Sequence, residues 1–227
     1  MSVRPNYAVL WDVDGTLVDT GELHYQAWQR LAGEIGKVYS CDDFAATFGW
    51  RNVEIFPHVF GPQYSPAEID ELGARKELYY RAEAEKGLDL LPGVLDLVKG
   101  LKDAGIAQAV GSSAPRGNVD LILAMTGLDQ YITASVAMED VSRGKPDPEV
   151  FVTAAKRLGV PPAQCLVFED APVGIRAAKT GGMKAVGITF VQHHPREKLA
   201  AEGADLVVGC LREMTADKVL EILQRES

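Results

Sequence analysis

Four places along the chain carry side chains with the spacing and setting for chemistry on a phosphate group. Asp12 and Asp14, two residues apart, follow an apolar run at 7–11 and lead into Gly15. Ser112 follows a second apolar run at 106–110, Lys145 stands in Gly144-Lys145-Pro146-Asp147-Pro148, and Glu169-Asp170 closes a third run at 165–168. Carboxylates that converge on one point repel each other, so Asp12, Asp14, Glu169 and Asp170 together call for a hard cation with oxygen ligands, such as Mg2+. That cation clamps a phosphate oxygen and neutralises charge as the phosphoryl group moves. A carboxylate can also attack phosphorus and form an aspartyl-phosphate, which divides one hard step into two easier ones. The spacing of Asp12 and Asp14 lets one act as nucleophile while the other handles a proton, and Gly15 permits the backbone reversal between them. Lys145 supplies a cation for phosphate and nucleophile; Ser112 offers a hydroxyl to a phosphate oxygen and a cap to the next helix.

These groups act together only if the fold gathers them. The apolar runs at 7–11, 106–110, 165–168, 185–188 and 205–208 have strand length, and helical patterns separate them. Val94, Leu95, Leu97, Val98 and Leu101 recur at helical spacing over 93–104, as do Val150, Phe151, Ala154, Ala155 and Leu158 over 148–158. Alternating strand and helix predicts an α/β protein: a Rossmann-like three-layer α/β/α core whose mostly parallel sheet is covered on both faces. Ligands of such sheets sit beyond the carboxyl ends of the strands, where Asp12, Asp14, Ser112, Glu169 and Asp170 fall, with Lys145 in the loop before a helix. From 20 to 90 no strand pattern occurs. Leu23, Ala27, Trp28, Leu31 and Ile35 form one helical stripe, and Ile69, Leu72, Leu78 and Tyr79 form part of another. The expected organisation is a catalytic core of 1–20 and 91–227 with a small all-helical cap domain at 21–90. Leu91-Pro92-Gly93 marks the return, and Gly21 and Gly93 are the expected points of movement.

With these residues in order, the chain resembles the haloacid dehalogenase superfamily. Asp-Val-Asp-Gly-Thr-Leu-Val-Asp-Thr at 12–20 is similar to its first motif, Ser112 to its second, Lys145 with Pro146-Asp147-Pro148 to its third, and Glu169-Asp170 to its fourth. The resemblance implies that Asp12 is the nucleophile and Asp14 the general acid/base, and that Mg2+ is held by Asp12, the Asp14 carbonyl, Asp170 and Glu169. Asp19-Thr20-x-Glu22-x-His24 followed by Ala27-Trp28 resembles the start of the cap in the β-phosphoglucomutase and sugar-phosphatase group. On that likeness His24, Arg51 and Lys76 contact substrate from the cap, and Thr20, Ser113 and Asn118 from the core. Arg51, in Phe48-Gly49-Trp50-Arg51-Asn52, resembles the cap arginine that grips the distal phosphate in the mutases. The loop Ser113-Ala114-Pro115-Arg116-Gly117-Asn118 departs from their Ser-x-Ser-Lys-Asn arrangement. The activity implied is Mg2+-dependent hydrolysis of a small sugar or metabolite phosphate. A β-phosphoglucomutase-like isomerase is the alternative, and a non-catalytic binding protein ranks third because no member of the set is missing.

Composition narrows the partners. With 227 residues, 47% hydrophobic and 24% charged, the chain is an ordinary globular protein rather than a disordered or coiled-coil one. Its 23 basic and 32 acidic side chains leave a net charge of −9, which repels nucleic acid and anionic membranes. A small phosphorylated metabolite escapes that argument because the site brings its own cations. Cys41, Cys165 and Cys210 are odd in number and widely spaced, as reduced thiols are. No basic leader with an apolar run and no stretch of about 18 apolar residues occurs, so a cytoplasmic chain, acting as a monomer, is expected. His193-His194 reads as a loop before Pro195, since adjacent side chains point apart and make a poor metal pair.

Overall fold

The computed structural model describes residues 6–225; the outermost parts of the 1–20 and 91–227 segments, residues 1–5 and 226–227, lie outside the described residues. Strands β1 (Ala8–Trp11), β2 (Ala107–Gly111), β3 (Ala134–Val136), β4 (Cys165–Glu169), β5 (Lys184–Ile188) and β6 (Leu206–Val208) form one sheet in the order β3-β2-β1-β4-β5-β6. Every neighbouring pair is parallel. β1 lies inside the sheet and is buried on both faces, which is why its sequence is continuously apolar rather than alternating. The pleat still divides it. Val9 and Trp11 enter one apolar cluster, Ala8 and Leu10 the other. Trp11 stacks on Phe168 with ring centroids 4.6 Å apart and donates its indole N–H to Gln108 Oε1 at 3.1 Å, so the largest side chain of the strand is buried without an orphan donor. The five runs foreseen from sequence are strands. The sixth, β3, escapes notice because it is a three-residue edge strand with only Val136 fully buried.

Between β1 and β2 the chain is helical: α1 (Gly21–Glu34), α2 (Cys41–Thr47), α3 (Asn52–Ile55), which runs into a π-helical turn at Phe56–Phe60, and α4 (Pro66–Ala84). Ser40 and Ser65 begin α2 and α4 with reciprocal capping boxes to Asp43 and Glu68, and Pro66 occupies the first helical turn, where its missing N–H costs nothing. Trp28, Leu31, Tyr39, Ile55, Phe56 and Phe60 give these helices an apolar core of their own. α4 corrects the sequence reading. Leu78 is 58% exposed, and the buried face carries Gly73, Lys76, Glu77, Tyr80 and Ala84. That spacing is helical, and Ile69, Leu72 and Tyr79 pack against the apolar clusters of the insert as read, but two inward positions hold opposite charges that satisfy each other, so hydrophobicity alone misplaces Leu78.

The remaining helices are α5 (Val94–Asp103), α6 (Arg116–Thr126), α7 (Glu149–Leu158), α8 (Pro172–Thr180), α9 (Arg196–Ala201) and α10 (Ala216–Gln224). α5, α6 and α10 cover one face of the sheet and α7, α8 and α9 the other, giving three layers. The chain leaves and re-enters this core side by side: Val18 bridges to Leu90, and the Leu91 N–H donates to the Leu17 carbonyl at 2.9 Å. Gly93 has φ +91° and lies so close to the Leu211–Glu213 turn that a Cβ would overlap the Arg212 backbone. It is fixed in the core by packing, contrary to the expectation that it is a hinge. No helix among the described residues is long and apolar enough to cross a membrane.

Candidate active site

The sheet order puts β1 beside β4, and the Asp12 N–H extends their ladder by donating to the Phe168 carbonyl at 3.0 Å. Asp12, Glu169 and Asp170 therefore emerge together at the carboxyl edge, with one carboxylate oxygen from each within 4.8 Å of the others. Lys145, in the loop before α7, reaches into the cluster and donates to Asp12 Oδ1 at 2.5 Å and Glu169 Oε1 at 2.7 Å. Glu169 Oε2 accepts the Ala171 N–H at 2.6 Å, so both its oxygens are engaged. Gly174 in the first turn of α8 leaves room for that carboxylate; a Cβ there would overlap it. Gly15, at φ +84°, does the same for Asp170. Asp170 Oδ2 is buried with no hydrogen-bond partner.

One lysine cannot neutralise three buried carboxylates. Burial, with Glu169 and Asp14 adding to it against Lys145, pushes the Asp12 carboxyl up to about 8. Burial and the Glu169 and Asp12 charges likewise hold Asp170 well above the carboxylate range. Lys145 is itself lowered by burial, but its two carboxylate partners raise it further and keep it charged. An orphaned buried oxygen, a surplus of negative charge and an all-oxygen donor set are what a hard divalent cation requires, so the residues present fit Mg2+.

Asp14 belongs to a separate network. Its Oδ1 accepts Thr20 Oγ1 at 2.5 Å and faces His24 Nε2 at 3.4 Å. His24 stacks on Tyr80 at 4.1 Å, and its Nδ1 lies 2.7 Å from Lys76 Nζ. Burial raises the Asp14 carboxyl, but the hydrogen bonds from His24 and Thr20 and the Lys76 charge outweigh it and leave Asp14 below its ordinary value. Its side chain stands outside the three-carboxylate cluster, so the metal set read from sequence includes Asp14 only through its backbone.

The cleft between sheet edge and helices is lined by Asp12, Asp14, His24, Lys76, Ser112, Ser113, Lys145, Glu169 and Asp170, with Arg51, Trp50 and Asn52 on the helical side. Arg51 is committed: its guanidinium donates to Glu54 Oε1 at 2.8 and 3.2 Å and to the Ser142 carbonyl at 3.4 Å. Ser112 Oγ accepts the Ala114 N–H at 3.0 Å; α6 begins only after Pro115, so Ser112 does not cap it. Thr20 serves Asp14 rather than the cleft wall. Asn118 is a clearer correction, because it is buried away from the cleft with its amide N–H donated to Glu77 Oε2 at 2.7 Å and its oxygen taken by Arg81 at 2.9 Å. Arg116 also turns away, to Ser135 and Asp140. Sequence reasoning missed Glu77, since a glutamate beside a lysine on a helix reads as a solvated face, and Asn52, which the Arg51 neighbourhood could have signalled.

A parallel three-layer sheet with a helical insert after its first strand, and a carboxylate–lysine cluster at the strand ends, defines a hydrolase of the phosphoryl-handling class. The chain belongs to the haloacid dehalogenase-like hydrolases, whose family model matches residues 8–182. It is 37% identical to a β-phosphoglucomutase of Bacillus subtilis over 226 residues, covering 96% of this chain and 94% of that one. It is 33% identical to a fructose-1-phosphate phosphatase of Escherichia coli, covering 81% and 96%. Among solved structures, a β-phosphoglucomutase of Clostridium difficile superposes with a TM-score of 0.87 at 26% identity, covering 97% of each chain. The family's enzymes include phosphatases and a phosphomutase among these relatives, and they generally use Mg2+.

Proposed function

We propose that the protein is a Mg2+-dependent phosphatase that hydrolyses a small sugar or metabolite phosphate through an aspartyl-phosphate on Asp12. The observation that carries this reading is the division of labour between two aspartates two residues apart: Asp12 is bound to Lys145 in the carboxylate cluster, and Asp14 to Thr20 and His24 outside it. Asp12 attacks phosphorus as the bond to the leaving oxygen breaks, and Asp14, ionised in the substrate-free protein, relays to that oxygen a proton taken up with the substrate. Water then attacks the aspartyl-phosphate, returning a proton to Asp14 and releasing phosphate. Lys145 holds Asp12 in place and faces the phosphoryl oxygens, while the Ser112 hydroxyl donates to one of them. Asp12, Asp170 and the Asp14 carbonyl would hold Mg2+, which, when bound, screens the repulsion between nucleophile and phosphate. Glu169, with both oxygens occupied, serves as the anchor of Lys145.

The mutase alternative shares these groups and needs a firm hold on a second phosphate. Two observations favour the phosphatase: Arg51 is neutralised by Glu54, and the loop after Ser112 turns Ala114 and Pro115 to the cleft and Arg116 away from it. The His24–Lys76 pair beside Asp14 favours the alternative. The test is incubation with Mg2+ and β-glucose 1-phosphate, with and without a bisphosphate primer, alongside a panel of phosphorylated metabolites that includes fructose 1-phosphate. Release of free phosphate that stops on adding EDTA is expected. Glucose 6-phosphate without free phosphate overturns the phosphatase reading, and an Asp12→Asn variant with full activity overturns the mechanism.

A further inference from the structure

Glu77 is the side chain for which the proposed chemistry has no use. It is 4% exposed, yet its carboxylate has three donors: Lys76 Nζ at 3.0 Å and Asn52 Nδ2 at 2.9 Å on Oε1, and Asn118 Nδ2 at 2.7 Å on Oε2. Lys76 and Asn52 lie on the helical insert; Asn118 lies on α6 of the core. Asn118 is oriented by Arg81, one turn along α4 from Glu77, so the two sides meet through a closed set of hydrogen bonds. A buried charge is costly unless paired and fully bonded, and here the pairing spans the two parts of the molecule.

The consequence runs through Lys76. An ammonium has three donors and no acceptor, so at 2.7 Å from His24 Nδ1 it fixes that nitrogen as the acceptor. Neutral His24 then carries its proton on Nε2, the nitrogen that faces Asp14 Oδ1. Lys76 is 2% exposed, and Glu77 is its one carboxylate partner among the described residues.

We infer that Glu77 is a positioning residue: it holds the Lys76 ammonium on His24 Nδ1 and binds Asn118 of the core, so that the proton His24 presents to Asp14 depends on the helical insert being docked. Solvent opening of the cleft breaks the Asn118 bond, wets Glu77 and releases Lys76, and the imidazole is free to take either tautomer. The inference rests on the phosphoryl-transfer reading for its catalytic consequence, but its structural content is independent of it.

The protein has four histidines, few enough for the imidazole nitrogens to be assigned by 15N NMR. In the wild type His24 is expected in the Nε2–H form. Glu77→Gln, which keeps the shape and removes the charge, is expected to shift His24 to mixed tautomers and to lower kcat on a sugar phosphate at least tenfold, with KM changed less than threefold. Asn118→Leu, which leaves Glu77 in place and deletes the bond from the core, is expected to speed deuterium uptake by the α4 amides and to give the same His24 signature. A folded Glu77→Gln protein with wild-type kcat and an unchanged His24 spectrum overturns the inference. So does an Asn118→Leu protein with wild-type exchange and spectrum, which decides the matter if the first variant does not fold. A wild type that hydrolyses no phosphate ester removes the proposed function, while the NMR and exchange measurements still judge Glu77.

Discussion

Asp170→Asn is expected to make the metal-free protein more stable while abolishing its response to Mg2+. The three clustered carboxylates have oxygens within 4.8 Å of one another. At an effective dielectric constant of ~20, two unit charges at that separation repel by ~3.5 kcal/mol. Near neutrality a part of this is already relieved, because Asp12 is pushed up to about 8 and takes up a proton. The net gain expected for the variant at pH 7 is therefore ~1–3 kcal/mol, or roughly 2–10 °C in Tm for a chain of this size. The sign of the pH dependence follows from the same shift. A carboxyl raised in the folded state stabilises fully below its unfolded value near 4, and that contribution is lost as pH climbs through about 8. Wild-type stability in EDTA should thus decline from pH 4 to 8, and the advantage of Asp170→Asn should widen over the same range. Mg2+ should raise the wild-type Tm, more strongly at pH 8 than at pH 6, and leave the variant nearly unmoved. Scanning calorimetry in EDTA and in Mg2+ across this range is the assay. A variant less stable than wild type in EDTA at pH 8, or one that Mg2+ stabilises equally, refutes the assignment of this cluster to a cation.

Three further outcomes are expected. Gly174→Ala puts a Cβ into the Glu169 carboxylate, which Lys145 and the Ala171 N–H hold in place; phosphatase assays and Tm should show lost activity and ~1–3 kcal/mol of lost stability. Asp140 is bound by Arg157, the Ala137 N–H and Arg116, which hold its carboxyl down at about 2; the stability this gives is present above pH 4 and fades as pH falls toward 2. Urea midpoints should place Asp140→Asn below wild type at pH 6, with the gap closing at pH 3. Burial pushes the Cys165 thiol up to about 12, so under native conditions at pH 8 iodoacetamide should label exposed Cys41 well before Cys165, as read by mass spectrometry.

The core of the site was legible because its carboxylates sit where short apolar strands end, and strand ends are the easiest feature to locate in an α/β chain; Lys145 was legible from its Lys-Pro-Asp-Pro setting before a helix. Asp12, Lys145, Glu169 and Asp170 meet as their positions suggested. The helical side was harder. Lys76 and Glu77 occupy the inward face of α4, where their mutual neutralisation replaces the apolar signal that marks a buried face, while Leu78 next to them points to solvent. Asn118 lies on α6 rather than in the loop read for it, and a single sequence does not reveal that a glutamate and an arginine from a different part of the chain take up both ends of its amide. Arg51 shows the same limit, since Glu54, three residues on, claims the charge that the motif suggested for substrate.

The paired passage of the chain at Val18, Leu90 and Leu91 bears on how such a molecule can change its chemistry. Both ends of the inserted helices start from one stitched seam, and the sheet on the far side of it takes no strand from the insert. Cutting at the seam and closing it with a short turn, or with a different set of helices, leaves every strand and its neighbours as they were. The reacting groups of the sheet can therefore stay constant while the roof above them is exchanged. A transplant of residues 21–90 between relatives should carry substrate preference with it and leave the metal requirement behind.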